Sequence, residues 1–167
     1  MNAQFLRTAV AGALLLVSVP ALAANEPIFM PAQACQGERQ VDRNVLLYNS
    51  KSVANEGTAT ITLTCPFKLP QAQLSNISLI GVEAWDRNAT SDVRCSVHVV
   101  NSNGDVLVGS QGGTFGVDQV GPKQFFLTAP AGVDPSIAGM SLICGIPPMD
   151  AGSRSGLLAY HFNAQLN

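Results

Sequence analysis

The sequence is poor in the charged side chains that bind nucleic acids and anionic surfaces. Only 12% of its 167 residues are charged, against a usual share of about 25%. The formal net charge is −2, so the chain offers no general attraction to phosphate backbones or anionic lipids. We therefore predict no nucleic-acid partner, and we expect serine, threonine, asparagine and glutamine to form most of the polar surface.

The sequence is also poor in residues that carry out catalysis or bind metals. It has two histidines, His98 and His161, and each falls on the polar side of an alternating segment, where we expect it to face solvent. It contains no GxSxG elbow, no CxxC, and no histidine at metal-ligand spacing from a cysteine. These absences predict that the protein is not an enzyme, with no catalytic residues, no metal site and no cofactor.

Two carboxylates near the single tryptophan provide the strongest alternative to that prediction. Glu83 and Asp86 flank Trp85, and paired carboxylates can hydrolyse glycosidic bonds. The pattern favours a surface position for Glu83 and a turn that opens at Asp86. Trp85 and Tyr160 could stack on sugars, but in a chain with only 6% aromatic residues we expect both to anchor the core.

A row of threonines alternates with apolar residues in the cleanest strand pattern of the chain. The apolar side carries Ala59, Ile61, Leu63 and Cys65, and the polar side carries Thr58, Thr60, Thr62 and Thr64. A row on one strand is expected from the strand propensity of threonine on a wet surface. A binding array would need matching rows on neighbouring strands, so we predict none.

Long apolar runs are absent except at the N-terminus, where the pattern is typical of an export signal. Arg7 precedes the apolar run Thr8–Val19, and Ala21-Leu22-Ala23 forms a small-residue cleavage site. We predict a signal peptide over residues 1–23 and a single domain over residues 24–167, without a membrane span. Removal of Arg7 changes the net charge from −2 to −3, and the product is secreted or periplasmic.

Four cysteines in an exported chain favour two disulfides over metal binding or thiol chemistry. Four cysteines allow three pairings. We favour Cys35 with Cys65 and Cys95 with Cys144, because Cys95 and Cys144 both lie on the apolar side of alternating segments, beside Val97 and Leu142.

Alternation with a period of two predicts an all-β fold. The clearest segments after the threonine strand are Val93–Val100 and Leu157–Ala164. No segment of helical length keeps an apolar 3.6-residue period, so we predict about eight strands and no substantial helix. The economical packing is a single antiparallel β-sandwich with two disulfides, and a closed barrel is the competing architecture.

Two local structures follow from turn signals and glycine content. Ser78–Val100 is predicted to form a β-hairpin, and Asn101–Asp105, with Gly104, to turn the chain into a strand that begins at Val106. Gly109–Gly121 is glycine-rich, so we expect an exposed loop with at most a short strand at Phe115–Val117.

Several short motifs in this order resemble a group of small exported bacterial proteins of unknown function. They are Tyr48-Asn49, Leu63-Thr64-Cys65-Pro66, Asp86-Arg87-Asn88, Val93-Arg94-Cys95-Ser96-Val97, Cys144-Gly145-Ile146-Pro147-Pro148 and Ser155-Gly156-Leu157-Leu158-Ala159-Tyr160. The resemblance spans Cys35 to Phe162 and implies a signal peptide followed by one β-rich, cysteine-bridged domain. It implies no activity and no catalytic residue.

These observations predict a non-catalytic structural or binding module of the bacterial cell envelope or exterior. Its partner would be a protein or a glycan of the cell surface. One alternative is an inhibitor of a hydrolase that inserts the Gly109–Gly121 loop, and a second is a pilus or adhesin subunit. The pilus alternative is disfavoured because Ala24–Met30 does not alternate and the penultimate residue is Leu166. A third alternative is a glycan hydrolase that uses Glu83 and Asp86.

Overall fold

The protein is a sandwich of two antiparallel β-sheets, as the alternation predicts. The structure is a computed structural model that describes residues 27–68, 77–115, 122–130 and 137–164. The predicted signal peptide lies outside these residues. The strands are β1 Pro27–Pro31, β2 Gln36–Gly37, β3 Leu46–Tyr48, β4 Val53–Asn55, β5 Ile61–Pro66, β6 Ile77–Trp85, β7 Arg94–Asn101, β8 Val106–Gly113, β9 Pro122–Thr128, β10 Ile137–Ile146 and β11 Gly156–Ala164.

The strands divide into two sheets without regard to their order in the chain. Sheet I has the order β3-β4-β11-β6-β9, and β1 also pairs with β11. The strand β4 pairs with the start of β11, at Gly156 and Leu157, and β1 pairs with the remainder, from Ala159 to Asn163. Sheet II has the order β2-β5-β10-β7-β8. Within the described residues the helices are only the one-turn α1, Gln40–Arg43, and a 3-10 turn, Ala32–Ala34.

The described residues contain eleven strands, where the alternation predicts about eight. The additional ones are short segments such as β2 and β4, which have too few residues to show a period. The strand β1 was missed because Pro27 and Pro31 bound it. Proline at the ends of an edge strand removes no ladder hydrogen bond that the sheet needs.

The predicted hairpin over Ser78–Val100 is wrong. The two arms, β6 and β7, lie in different sheets, and the connection between them crosses from one layer to the other. The turn at Gly104 is confirmed: it joins β7 to β8, and Gly104 has a φ of 86°. The side-chain oxygen of Asn101 accepts hydrogen bonds from the backbone N–H groups of Asn103 and Asp105.

The prediction of an exposed loop over Gly109–Gly121 is wrong for its first half, because β8 continues to Gly113. Glycine is needed there for close packing. A Cβ atom on Gly109 would lie 2.5 Å from the carbonyl oxygen of Thr128, and one on Gly113 would lie 2.5 Å from that of Val93. The second half is mostly outside the described residues.

Both disulfides lie within sheet II: one joins β7 to β10, and the other joins β5 to the residue that precedes β2. Cys35 is bonded to Cys65, with Cα atoms 4.0 Å apart, and Cys95 to Cys144, 4.1 Å apart. Cys95 and Cys144 stand directly opposite each other in the β7–β10 register. The bridges therefore cross-link strands within one layer and leave contact between the layers to apolar packing and to buried polar groups.

The core lies between the sheets and is built from one parity of each strand. Its largest fully buried side chains include Tyr160 and Phe162 of β11, Leu63 of β5 and Leu142 of β10. Tyr160 is therefore a core anchor, as predicted. Its hydroxyl donates a hydrogen bond of 2.7 Å to the carbonyl oxygen of Pro66. Phe67 packs edge-on against both Tyr160 and Phe162.

The two tyrosines should ionise separately. Burial raises the pKa of Tyr160 to about 12, and partial burial also raises the pKa of the more exposed Tyr48. The unfolded chain loses the Tyr160 proton near its ordinary pKa of about 10, so the stabilisation present below pH ~10 is lost as the pH rises toward ~12.

Phenolate absorbance followed against pH should therefore show one tyrosine titrating in the folded protein and the second only as the protein unfolds. In Tyr160→Phe the second step should disappear. A single step near the ordinary tyrosine pKa for both residues of the folded protein would contradict the buried position of Tyr160.

Within the described residues, no helix is both long and apolar enough to cross a membrane.

Candidate functional site

The outer surface of sheet I carries a row of aromatic side chains across four strands. Phe29 of β1 stands opposite His161 of β11, His161 stands opposite Gly81 of β6, and Gly81 stands opposite Phe126 of β9. We call Phe29, His161, Gly81 and Phe126 the aromatic row. It spans three strand spacings, about 14 Å. Phe29 is 60% exposed and Phe126 54%, so both rings face solvent.

Gly81 fixes the position of the central ring. A Cβ atom at this position would lie 2.2 Å from two atoms of the His161 imidazole, so the ring occupies the space that a side chain would need. The ring centroid of His161 lies 5.0 Å from that of Phe29 and 6.3 Å from that of Phe126. His161 therefore lies on the outer side of the sheet, as its polar parity predicts, but it is only partly exposed because the imidazole is held between two aromatic rings.

Polar groups line the next row along the strands. Glu83 of β6 stands opposite Ala159 of β11 and Gln124 of β9. The side-chain nitrogen of Gln124 lies 3.3 Å from Nε2 of His161. Gln124 is exposed and Glu83 is partly buried. Amide and carboxylate groups thus stand beside the rings, where they can exchange hydrogen bonds with a ligand that covers the row.

Trp85 lies on the same outer surface, four residues further along β6. It stands opposite Gly156 of β11, which in turn stands opposite Ala54 of β4. These small residues leave a cavity of about 200 Å³ that is also lined by Arg87 and Arg154. The prediction that Trp85 anchors the core is wrong, because its ring is partly exposed and lines this cavity.

The two carboxylates of the hydrolase alternative have different surroundings. Glu83 belongs to the outer surface of sheet I, whereas Asp86 is only 2% exposed. The Asp86 carboxylate accepts hydrogen bonds from the backbone N–H of Val93 at 3.0 Å and from the hydroxyls of Thr114 and Ser155. The turn predicted to open at Asp86 is present, because the Asp86 carboxylate also accepts a hydrogen bond of 3.1 Å from the backbone N–H of Asn88. The sequence did not show that this carboxylate is buried and joins segments from both sheets.

His98 lies on the outer surface of sheet II beside a serine. Its Nε2 is 2.9 Å from the hydroxyl of Ser96, two residues earlier on β7. In a catalytic dyad of this type a third group orients the histidine. None of the hydrogen bonds of the described residues joins a carboxylate to His98, so the pair has no orienting acid there.

The threonine row lies on the outer surface of sheet II, as predicted. Thr64 stands opposite Ile143, and Thr62 stands opposite Gly145. The neighbouring strand therefore continues the row with an isoleucine and a glycine, which do not extend an array of hydroxyl groups. Among the described residues, no group of three or more His, Cys, Asp or Glu side chains is placed to hold a metal ion.

Sequence reasoning missed both exposed phenylalanines of the aromatic row. Phe29 lies in a segment that has no readable period in the sequence. Phe126 follows Phe125, and successive residues of a strand point to opposite sides, so one of this pair had to leave the core. The sequence therefore did contain a signal for an exposed ring at this position. The partner rings on β1 and β11 could be assigned only from the register of the sheet.

No protein-family model and no curated protein matches the chain. Among solved structures it is similar to a low-affinity xylan-binding module of Roseburia intestinalis, with 12% identity, a TM-score of 0.47, and 84% of this chain and 96% of that chain covered. It is similar to a carbohydrate-binding module that recognises mannan, with 6% identity, a TM-score of 0.49 and coverages of 84% and 99%. A third module, in complex with β-1,4-galactotriose, has 11% identity, a TM-score of 0.39 and coverages of 82% and 88%. At these values none of the likenesses identifies a function for this chain.

Proposed function

We propose that this protein is an exported, non-catalytic glycan-binding module whose ligand lies across the aromatic row. The observation that carries the proposal is the register that places Phe29, His161 and Phe126 side by side on an open sheet surface. The C–H faces of a sugar pack well against aromatic rings, and their hydroxyls need hydrogen-bonding groups at the edges of the rings. Gln124 and Glu83 are placed to supply them.

The charge of the aromatic row and the row beside it does not favour a nucleic-acid ligand. The rows formed by Phe29, His161, Gly81, Phe126, Ala159, Glu83 and Gln124 contain one acidic and no basic side chain other than the imidazole. Two phenylalanines more than half exposed on one sheet surface are also unusual for a soluble domain unless the surface binds something.

The inhibitor alternative is disfavoured, because the first part of its predicted inserting loop is a strand. Gly109–Gly113, the first part of the segment predicted to insert into a hydrolase, belongs to β8, and its glycines pack against Thr128 and Val93. A segment already paired with β7 is not available to enter an active site without breaking that pairing.

Removing the exposed rings should abolish glycan binding. In affinity gels that contain xylan, mannan or galactan, at least one polysaccharide should retard the protein. The double variant Phe29→Ala/Phe126→Ala should bind that polysaccharide roughly a hundredfold more weakly, because stacking on each ring contributes about 1.5 kcal/mol.

Phe115→Ala is the matched control, since Phe115 is also 60% exposed but follows β8 of sheet II and lies near Arg94. It should leave retardation unchanged. Retardation that survives loss of both rings of the row, or that requires Phe115, would contradict the proposed surface. Binding to none of a broad panel of glycans would contradict the proposed function.

A further inference from the structure

The cavity beside Trp85 is lined by two cationic side chains and by no carboxylate. It lies where the start of β11, the end of β6 and the short strands β3 and β4 meet, and its volume is about 200 Å³. Its charged lining residues are Arg87 and Arg154, although the whole chain carries a net negative charge. Positive charge at a cavity without a lining carboxylate suggests an anionic ligand.

Arg87 is the uncompensated cation of the pair. Its guanidinium carbon lies 5.6 Å from the centre of the Trp85 ring, a cation–π contact that orients the side chain. None of the ion pairs of the described residues involves Arg87. By contrast, the guanidinium of Arg154 lies 2.7 Å from the carboxylate of Glu56. Arg87 is therefore the group with charge and donors available for a ligand.

Trp85 adds a donor that has no acceptor. Its indole N–H is buried, and no hydrogen-bond partner for it exists among the described residues. Buried donors are nearly always paired in folded proteins, with a protein group, water or ligand. Because this N–H is closed to solvent, a ligand in the cavity would contact the partly exposed ring of Trp85 rather than its N–H group.

The size of the cavity limits what can enter. Its volume lies below the range of roughly 300–1,000 Å³ that drug-sized ligands occupy, and Ala54 and Gly156 leave room beside the Trp85 ring. One sugar ring is a suitable occupant. A ring that stacks on an indole and carries an anionic, planar acceptor for a guanidinium is a uronic acid.

We propose that this cavity binds the carboxylate of a uronic acid within the glycan that the protein recognises. The inference rests on the proposed glycan-binding function and assigns it a ligand class. Trp85 and Gly81 are four residues apart on β6, about 13 Å, so a glycan held by the aromatic row can extend to the cavity.

The fluorescence of Trp85, the only tryptophan of the chain, reports on this cavity directly. We expect an oligogalacturonate to change the emission and to bind roughly tenfold more tightly than the same oligosaccharide with its carboxylates reduced to alcohols. Because the preference is electrostatic, it should shrink as the salt concentration rises.

Arg87→Gln should remove the preference for the acidic oligosaccharide and leave affinity for its reduced form within about twofold. Arg87→Lys keeps the charge but loses the planar fork, so an intermediate preference is expected. Arg43→Gln is the matched control, because it removes the same charge from exposed α1, away from the cavity, and should change nothing. Thermal unfolding of each variant checks that it is folded.

The outcomes separate this inference from the proposed function. Equal affinity for the acidic and reduced oligosaccharides, with the aromatic row still required, overturns the uronic acid assignment alone. Tighter binding of a sugar phosphate than of the uronate overturns the carboxylate assignment. Binding of neither oligosaccharide, together with no binding to any neutral glycan, overturns both proposals.

Discussion

Replacing Asp86 with alanine should lower the free energy of unfolding by about 3–5 kcal/mol, because the change removes a buried acceptor that several donors share. The carboxylate accepts hydrogen bonds from the backbone N–H of Val93 and the hydroxyls of Thr114 and Ser155. Val93 and Thr114 flank strands of sheet II, and Ser155 precedes β11 of sheet I. Asp86 thus joins the two layers at one end of the sandwich.

Chemical denaturation by urea measures this effect, with the slope of the transition checked for a change in the unfolded state. Asp86→Asn should lose less than alanine, since one amide oxygen still accepts. Asp92→Ala is the matched control: the Asp92 carboxylate forms an exposed ion pair of 3.2 Å with Arg94, so its loss should cost less than about 1 kcal/mol. Equal losses for Asp86→Ala and Asp92→Ala would contradict the role assigned to the buried carboxylate.

Removing the disulfide between Cys95 and Cys144 should lower the free energy of unfolding by about 4 kcal/mol. The bridge closes a segment with a sequence separation of 49 residues, and opening it gives the unfolded chain more conformations. The loss is large against the roughly 5–15 kcal/mol that stabilises a typical domain. The variant Cys95→Ala/Cys144→Ala provides the test, again by urea denaturation.

The bridge between Cys35 and Cys65 spans 30 residues and should contribute slightly less, about 3.5 kcal/mol in the same treatment. Peptide mapping of the unreduced protein checks the two pairings independently. A peptide that links Cys35 to Cys95 would contradict them. An unchanged urea midpoint in the Cys95/Cys144 variant would contradict the expected stabilisation.

The strand interiors could be predicted from the sequence because alternation reports burial directly. In Ile61, Leu63 and Cys65 the apolar side chains are separated by threonines, and all three are buried in the structure. Val97 and Val99 of β7, which are separated by His98, are likewise both buried. A period of two can be recognised within one strand, without knowing which strands lie beside it, so this part of the fold is encoded locally.

Strand pairing could not be predicted in the same way, as the wrong hairpin over Ser78–Val100 shows. Both arms are strands in the structure, and the residues between them include Asp86 and Asn88, which favour turns. The buried carboxylate of Asp86 accepts hydrogen bonds from groups up to 69 residues away. These non-local contacts accompany the crossing of the chain from sheet I to sheet II, and they have no signature in the segment itself.

The candidate site was the least predictable part. The sequence indicates Trp85 as a possible sugar platform, but the scarcity of aromatic residues favours a place in the core. The cavity beside its ring is left by Ala54 of β4 and Gly156 of β11, which come near Trp85 only in the folded sheet. Phe29 and Phe126 are almost a hundred residues apart in the chain, and only the register of sheet I aligns them.

The sequence by itself therefore determined the all-β class and which side chains of each long strand face the core, because alternation acts between residues two apart on the same strand. Only the tertiary structure decided which strands are neighbours, and hence that Phe29, His161 and Phe126 form one surface over Gly81. The physical reason is that a strand's own pattern fixes which side faces inward, whereas a surface site depends on the order and register of several strands, which are set by contacts distant in the chain.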